Sequence, residues 1–287
     1  MEKIAFISGE TIYYWSSIVL TLATLTAICF FWSLYLGKGG NGVAAFSVVP
    51  LAIVLSLLLG RLVHWYCRTS SYDSFTSAMK PFSPGGYALL GVFAGCALAA
   101  VIVRLVHFDR NLPQMLDCMA VAGCAGIAVG RLACFFNSAD RGQIIASTQS
   151  LPWVYPVTNA VSGATEYRLA TFILQAMAAL GLFLILLIFY LPKKRKDGDT
   201  ALIFLLLYGA SQIVLDSTRY DKLFFRSNGF VSVVQVLGAL GLLLVIVVFS
   251  LRMVKARGFR FWNVLVWLGI AACIGGAGFM EYYVQRH

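Results

Sequence analysis

Three arginines stand where apolar runs give way to polar ones. Arg131 closes a run that begins near Met115 and heads the segment Leu132-Ala133-Cys134-Phe135-Phe136-Asn137-Ser138-Ala139-Asp140-Arg141-Gly142. Arg61 closes an earlier run, with His64 one helical turn on and Trp65, Tyr66 and Arg68 beyond it. Gln212, Asp216 and Arg219 follow i, i+4, i+7 spacing, so they share one stripe of a helix. Charge within a membrane is expensive and tends to mark function. Here it can hold an anionic headgroup. Each has a plainer reading. Arg61 and Arg68 can snorkel toward headgroups, with Trp65 and Tyr66 as an aromatic belt. Asp216 and Arg219 can simply neutralise one another. A lone histidine is more often structural than catalytic, and Cys134, beside Phe135 and Phe136, reads as packing.

The elements that must carry these residues are membrane helices. Of 287 residues, 60% are hydrophobic and 12% charged, and the mean hydropathy is +0.83, which excludes a soluble globular domain. A helix crossing the hydrocarbon core needs about 20 apolar residues. Eight stretches meet that demand, at roughly 13–36, 43–66, 86–107, 114–136, 169–191, 200–217, 230–252 and 262–280. The expected fold is an all-α polytopic membrane protein with about eight transmembrane helices. The net charge of +10 does not indicate nucleic acid, because Lys and Arg lie in small groups beside apolar segments, where topology and anionic headgroups account for them. The seven cysteines show no CxxC spacing; Cys29, Cys96, Cys118, Cys124 and Cys273 fall inside expected spans and read as small packing residues. No residue cluster points to a metal or a cofactor. The first apolar run is long and lacks a small-residue cleavage site, so no cleavable signal peptide is expected.

Charge orients the helices. Lys193-Lys194-Arg195-Lys196 and the segment from Arg252 to Arg260, with Lys255 and Arg257, are strongly basic and separated by two spans, so both are expected on the cytoplasmic side. Counting outward puts the N-terminus and the C-terminus outside, and gathers the connections at 67–85, 137–168 and 218–229 on that outer face. Near it, Ser83-Pro84-Gly85-Gly86-Tyr87 is either a turn or a backbone approached closely by a lipid headgroup. The long 137–168 connection exceeds ordinary loop length and suggests an arm in the outer interface. Gln235 adds a polar group among valines at the outer start of the seventh span. Asp117, near the inner start of the fourth, fits a helix N-terminal charge. Gly269, Gly275, Gly276 and Gly278 give the eighth span a small-residue surface suited to close packing.

In order, these segments resemble the bacterial prolipoprotein diacylglyceryl transferases, polytopic enzymes that move diacylglyceryl from phosphatidylglycerol onto a lipobox cysteine. The signature GR-x-x-x-F-x-N-x-x-x-x-G is met by Gly130, Arg131, Phe135, Asn137 and Gly142. A GAR-L-x-Y-x-x-x-Y segment is approximated by Gly60-Arg61-Leu62 and Tyr66, a GG pair by Gly85-Gly86, and a PW-x-x-x-P stretch by Pro152-Trp153-Val154-Tyr155-Pro156. A Y-G-x-x-R-x-x-x-E-x-x-R helix is similar to Tyr208-Gly209, Asp216 and Arg219, and a following glutamine to Gln235. The chain departs from the pattern at Leu90, where the family has histidine, and at Cys134 and Ala139, where it has asparagine and glutamate, with Asp140 adjacent. Gln212 replaces an arginine, and R-x-P-x-Q-x-x-E survives as Arg168 with Ala170, Phe172 and Gln175 in the other places.

The resemblance, clearest over 60–250, implies a seven-helix transferase-like core at 1–252, with 253–287 adding a C-terminal helix. It implies phosphatidylglycerol or another anionic phospholipid and a prolipoprotein lipobox peptide as partners, at the extracytoplasmic side of a bacterial inner membrane. Transfer expels glycerol phosphate, so Arg131, Arg61 and Arg219 would supply donors to the phosphate and the leaving oxygen. His64, Asp140 and Asp216 are the candidates for the group that assists the thiol, whose pKa is about 8.5 in water. Gly85, Gly86, Asn137, Gly142, Gln212 and Gln235 would line the substrate. The alternative is a relative that keeps the phospholipid pocket but uses another acceptor, or binds lipid or lipoprotein without turnover. A transporter has least support, since no inverted repeat or midplane acidic chain is present.

Overall fold

The computed structural model describes residues 4–8, 11–80, 86–106, 111–136, 142–145, 153–158, 163–192, 196–225, 228–258 and 261–286. A hairpin, β1 (Ile4–Ser8) with β2 (Thr11–Tyr14), leads into α1 (Trp15–Gly37), α2 (Gly42–Cys67), the short α3 (Phe75–Met79), α4 (Leu89–Leu105) and α5 (Leu112–Arg131). A second hairpin, β3 (Val154–Thr158) with β4 (Thr165–Leu169), precedes α6 (Thr171–Tyr190) and α7 (Asp199–Ser217). A third, β5 (Phe224–Phe225) with β6 (Asn228–Ser232), precedes α8 (Val233–Arg257) and α9 (Phe261–Arg286). Among the described residues, six helices are long and apolar enough to cross a membrane, and α4 is a shorter apolar one. The chain is an all-α polytopic membrane protein with one hairpin ahead of α1 and two in the connections between helices.

Each expected span falls on a helix, and two shifts at the ends have local causes. The span expected at 86–107 becomes helical only at Leu89, because the Ala88 N–H is spent on the Gly60 carbonyl at 3.0 Å, tying α4 to α2. The span expected at 230–252 begins at Val233, where Ser232 and Gln235 form a reciprocal capping box. It runs on to Arg257, and Gly258, at φ 77°, ends it.

Successive long helices alternate in direction, so Trp15, Cys67, Leu89, Arg131, Thr171, Ser217 and Val233 mark one end of the bundle. Cross-helix bonds agree with this: Thr171 Oγ1 and Thr218 Oγ1 lie 3.2 Å apart, and Arg68 Nη2 donates to the Asp221 carbonyl at 3.0 Å. The opposite end carries Lys196, Arg252 and Lys255 and is the basic end.

α5 is central, packed against α1, α6 and α7. Its buried residues are mostly small, with Cys118, Ala120, Ala122, Cys124 and Ala125 beside Met115 and Val121, so neighbouring backbones approach closely. α2 and α4 are closer still. A Cβ at Gly91 would overlap the Leu59 carbonyl, and one at Gly95 would lie 2.5 Å from the Ser56 nitrogen. α7 and α8 meet at Gly209 and Gly238, where added Cβ atoms would stand 2.9 and 3.0 Å from the opposite carbonyl oxygen. The small-residue surface expected on the eighth span is corrected accordingly: Cβ atoms at Gly269, Gly275 and Gly276 would meet nothing within 4 Å. Close approach belongs to α4, α7 and α8.

Polar bonds fasten the basic end. Asp117 does not serve its own helix, as its position suggested. It is 3% exposed, and its two carboxylate oxygens accept from Gly198 N and Ala201 N at 2.7 Å each, so it caps α7 from α5. Gly198, at φ 94°, has no side chain to do so. Asp199 in the first turn pairs with Arg252 of α8. Lys38 Nζ donates to the Tyr190 carbonyl at 2.7 Å, and Asn111 Nδ2 to Asp197 Oδ2 at 2.8 Å.

Candidate functional site

At the end opposite the basic one, the C-terminal end of α7 brings a carboxylate and a guanidinium together. Asp216 is fully buried; its Oδ1 accepts from Arg219 Nη1 at 3.3 Å, while its Oδ2 has no hydrogen-bond partner among the described residues. Arg219 is also held by Asp221 Oδ1 at 3.3 Å, so one guanidinium lies between two carboxylates. Beside it, residues 142–145 run past β4 and Arg219, joined to them by isolated bridges. Gly142 N donates to the Leu169 carbonyl at 3.1 Å and Gln143 N to the Thr218 carbonyl at 3.0 Å, and Gly142 bridges to Arg219. A Cβ at Gly142 would overlap the Leu169 carbonyl and lie 2.7 Å from Thr171 Oγ1, which is the steric reason for glycine there. Arg168 closes the platform: it is 7% exposed, bonds Glu166 Oε2 at 2.7 Å through Nη2, and stacks its guanidinium 4.7 Å from the Tyr220 ring centroid.

Arg61, His64 and Gly86 form a second group under the connection after α2. Arg61 is 2% exposed. Its Nε donates to the Ala78 carbonyl at 2.6 Å and its Nη1 to the Gly86 carbonyl at 3.2 Å, with the Tyr72 and Tyr87 rings 5.1 and 5.3 Å away. Desolvating a guanidinium is tolerable only with such a set of acceptors. His64 Nδ1 lies 2.7 Å from Tyr72 Oη, and a Cβ at Gly86 would stand 2.6 Å from its Nε2. Arg68, bonded to the Asp221 carbonyl, joins this group to the Arg219 platform.

The remaining sequence-selected residues fall as follows. Arg131 is the last residue of α5, half-buried, at the start of a turn of 3-10 helix over Leu132–Phe135 that packs against α1 and α6. Gln212 is buried one helical turn below Asp216. Gln235 is buried, and its Oε1 accepts from Ser232 N while its Nε2 donates to the Ile213 carbonyl at 3.3 Å, linking α8 to α7. Gly85, Asn137 and Asp140 lie outside the described residues.

Comparison with known proteins is decisive at the level of family. The chain matches the profile of the prolipoprotein diacylglyceryl transferases over residues 3–251. It belongs to that family. Similar relatives include the phosphatidylglycerol–prolipoprotein diacylglyceryl transferases of Streptococcus pyogenes serotypes M3 and M49, each 22% identical over 266 residues, covering 92% of this chain and 99% of the relative. The family match ends within α8, before Arg252, Lys255 and α9.

Sequence reasoning did not place Glu166, Arg168, Arg68, Tyr72 or Gln175 among the candidate site residues. Glu166 and Arg168 are two apart on β4, a period-two signal for a shared face that was open to reading. Arg68 and Tyr72 join groups that are distant in sequence, and no local pattern announces them. Gln175, noted only as a departure from a motif, is 2% exposed on α6, one turn from Thr171, and neither polar atom of its amide has a hydrogen-bond partner among the described residues. A buried amide left open in this way costs roughly 1–3 kcal/mol.

Proposed function

We propose that this chain transfers diacylglyceryl from phosphatidylglycerol to a cysteine thiol of a prolipoprotein, at the outer face of a bacterial cytoplasmic membrane. Family membership supports the reaction class, and the observation that carries the local assignment is the buried Asp216–Arg219 pair bridged to Gly142. The thiol sulfur forms a bond to the terminal glycerol carbon of the lipid. The bond from that carbon to the phosphate oxygen breaks, its electron pair leaves with glycerol phosphate, and the thiol proton passes to a base. Arg219 and Arg131 stabilise the charge that develops on the leaving phosphate. An entering phosphate must share Arg219 with Asp216 and Asp221, which leaves Asp216 able to take the thiol proton as its cation turns to the lipid. Asp140 and His64 are the other candidates for that base.

Arg61 supports the reaction indirectly, by holding the Gly86 segment against α2. Gly85, Gly86, Asn137, Gly142, Gln212 and Gln235 form or brace the lipid-binding surface. The basic segments on the cytoplasmic side orient the bundle so that both chain termini and the site face outward. Residues 1–252 are the transferase-like domain, and 253–287 add a helix to it.

A second reading rests on a specific observation. Gln175 and Gln212 stand where the family pattern has a glutamate and an arginine, and the Gln175 amide is open. A site with this altered polarity is suited to a different acceptor, or to lipid binding without turnover. The deciding experiment offers the purified protein radiolabelled phosphatidylglycerol and a lipobox peptide, beside Arg131→Ala and Asp216→Asn. Labelled peptide that is lost in both variants supports transfer. Phosphatidylglycerol binding that persists without labelled peptide, and weakens in Arg131→Ala, supports the second reading.

A further inference from the structure

At the basic end, α7, α8 and α9 enclose a groove of about 610 Å³. Its walls are apolar: Leu206 of α7, Val245, Ile246, Phe249 and Met253 of α8, and Val266 of α9. The lining residues of α8 run from Val245, midway along the helix, to Ala256 near its basic end. That is roughly 16 Å of helix rise, about half of a hydrocarbon core about 30 Å thick. The groove therefore has the length of one leaflet's acyl chain and ends at headgroup level. Trp267 Nε1 donates to Ser250 Oγ at 2.6 Å, pinning α9 to α8 and satisfying both polar groups beside an otherwise oily wall.

Arg252 stands at the mouth. Its side chain is 35% exposed and pairs through Nη1 with Asp199, with the Phe249 ring 5.8 Å from its guanidinium. A guanidinium carries five N–H donors, so one carboxylate contact leaves several for another acceptor. Lys255, exposed and one turn on along α8, adds a second cation to this end of the helix, against the one carboxylate of Asp199. This combination fits one kind of occupant: a lipid with a chain to bury and a phosphate to present. Surface charge of this sort favours anionic headgroups by about fivefold for each basic residue.

We propose that the groove between α7, α8 and α9 binds one anionic phospholipid of the leaflet on the basic side, its acyl chain along Val245–Met253 and its phosphate on Arg252 and Lys255. Arg252, Lys255 and α9 lie beyond the family match, so the headgroup end and one wall of the groove fall outside the family pattern, while Leu206 and the α8 wall up to Ser250 fall within it. It stands at the far end from the Asp216–Arg219 pair and is independent of the transfer reaction.

Trp267 is a built-in reporter. The full chain is reconstituted in phosphatidylcholine vesicles doped with either brominated phosphatidylserine or brominated phosphatidylcholine, and the Trp267 signal is taken as the difference between the parent and Trp267→Phe. Half-maximal quenching is expected at a several-fold lower mole fraction of the brominated anionic lipid. Arg252→Gln with Lys255→Gln should abolish that preference. Asp199→Asn, which releases the guanidinium from its carboxylate, should increase it, a gain that damage to the fold would not produce. Val245→Phe, which narrows the groove and keeps the charges, should reduce quenching by both lipids. Equal quenching by the two lipids in the parent, or a preference that survives loss of both cations, would overturn the site and leave only ordinary annular lipid.

Discussion

Two aspartates on adjoining helices occupy opposite ends of the bundle in opposite states. Asp117, at the basic end of α5, is buried with each carboxylate oxygen bonded to a backbone N–H of α7. Asp216, at the other end of α7, is buried more completely, yet it has one oxygen on Arg219 and the other on no group among the described residues. Burial alone is the same story in both cases. Satisfaction separates them: the first carboxylate fastens helices, and the second holds back a bonding capacity that the resting fold does not use. Gln175 sharpens the contrast, since its whole amide is open in the same way. Groups left unsatisfied inside a protein call for an explanation, and a polar substrate is a direct one.

The comparison can be broken most severely at Asp216. Asp216→Asn should lower transfer by about 10²–10⁴-fold, measured as labelled peptide per folded molecule, while Arg219 keeps Asp221 as its partner. Asp117→Asn should do the reverse. Losing one acceptor at the α7 cap should cost about 1–3 kcal/mol of stability, seen as a lower unfolding temperature in detergent, with turnover per folded molecule preserved. If both substitutions act alike, the division into fastening and working carboxylates fails. Gly95→Leu tests whether the α2–α4 pair is a rigid frame. Its side chain meets the Ser56 backbone, and about 1–3 kcal/mol of destabilisation is expected in the same assay. Gln175→Leu carries the opposite sign. Removing an open buried amide should stabilise the protein by about 1–2 kcal/mol and weaken phosphatidylglycerol binding; a loss of stability would mean that the amide already has a structural role. The smallest effect is at Ser232→Ala, where loss of the capping box at the start of α8 should cost about 1 kcal/mol.

The long helices were legible because an apolar run of bilayer length leaves few alternatives, and the charge pattern set their relative directions. Part of the site was legible for the same reason: a polar stripe such as Gln212, Asp216 and Arg219 is conspicuous in an apolar chain. What could not be read was assembly. The Arg61 guanidinium reaches carbonyls at residues 78 and 86, and Arg68 reaches residue 221, over distances that no periodicity encodes. Gly142 looked like one signature residue among several until the Leu169 carbonyl beside it explained its lack of a side chain. Glycines misled in the eighth span because their frequency shows where helices could approach, whereas contact depends on which neighbour arrives.

The bond from Asp117 to Gly198 spans 81 residues of sequence, and this sets a timetable for biogenesis. At a synthesis rate of about 5–20 residues per second, α5 is made roughly 4–16 s before the backbone that its carboxylate will serve. During that interval an acidic group must wait near the membrane surface, in water or against the insertion machinery. Final docking of the central helix is thereby deferred until α7 has been delivered, so the core closes late in synthesis.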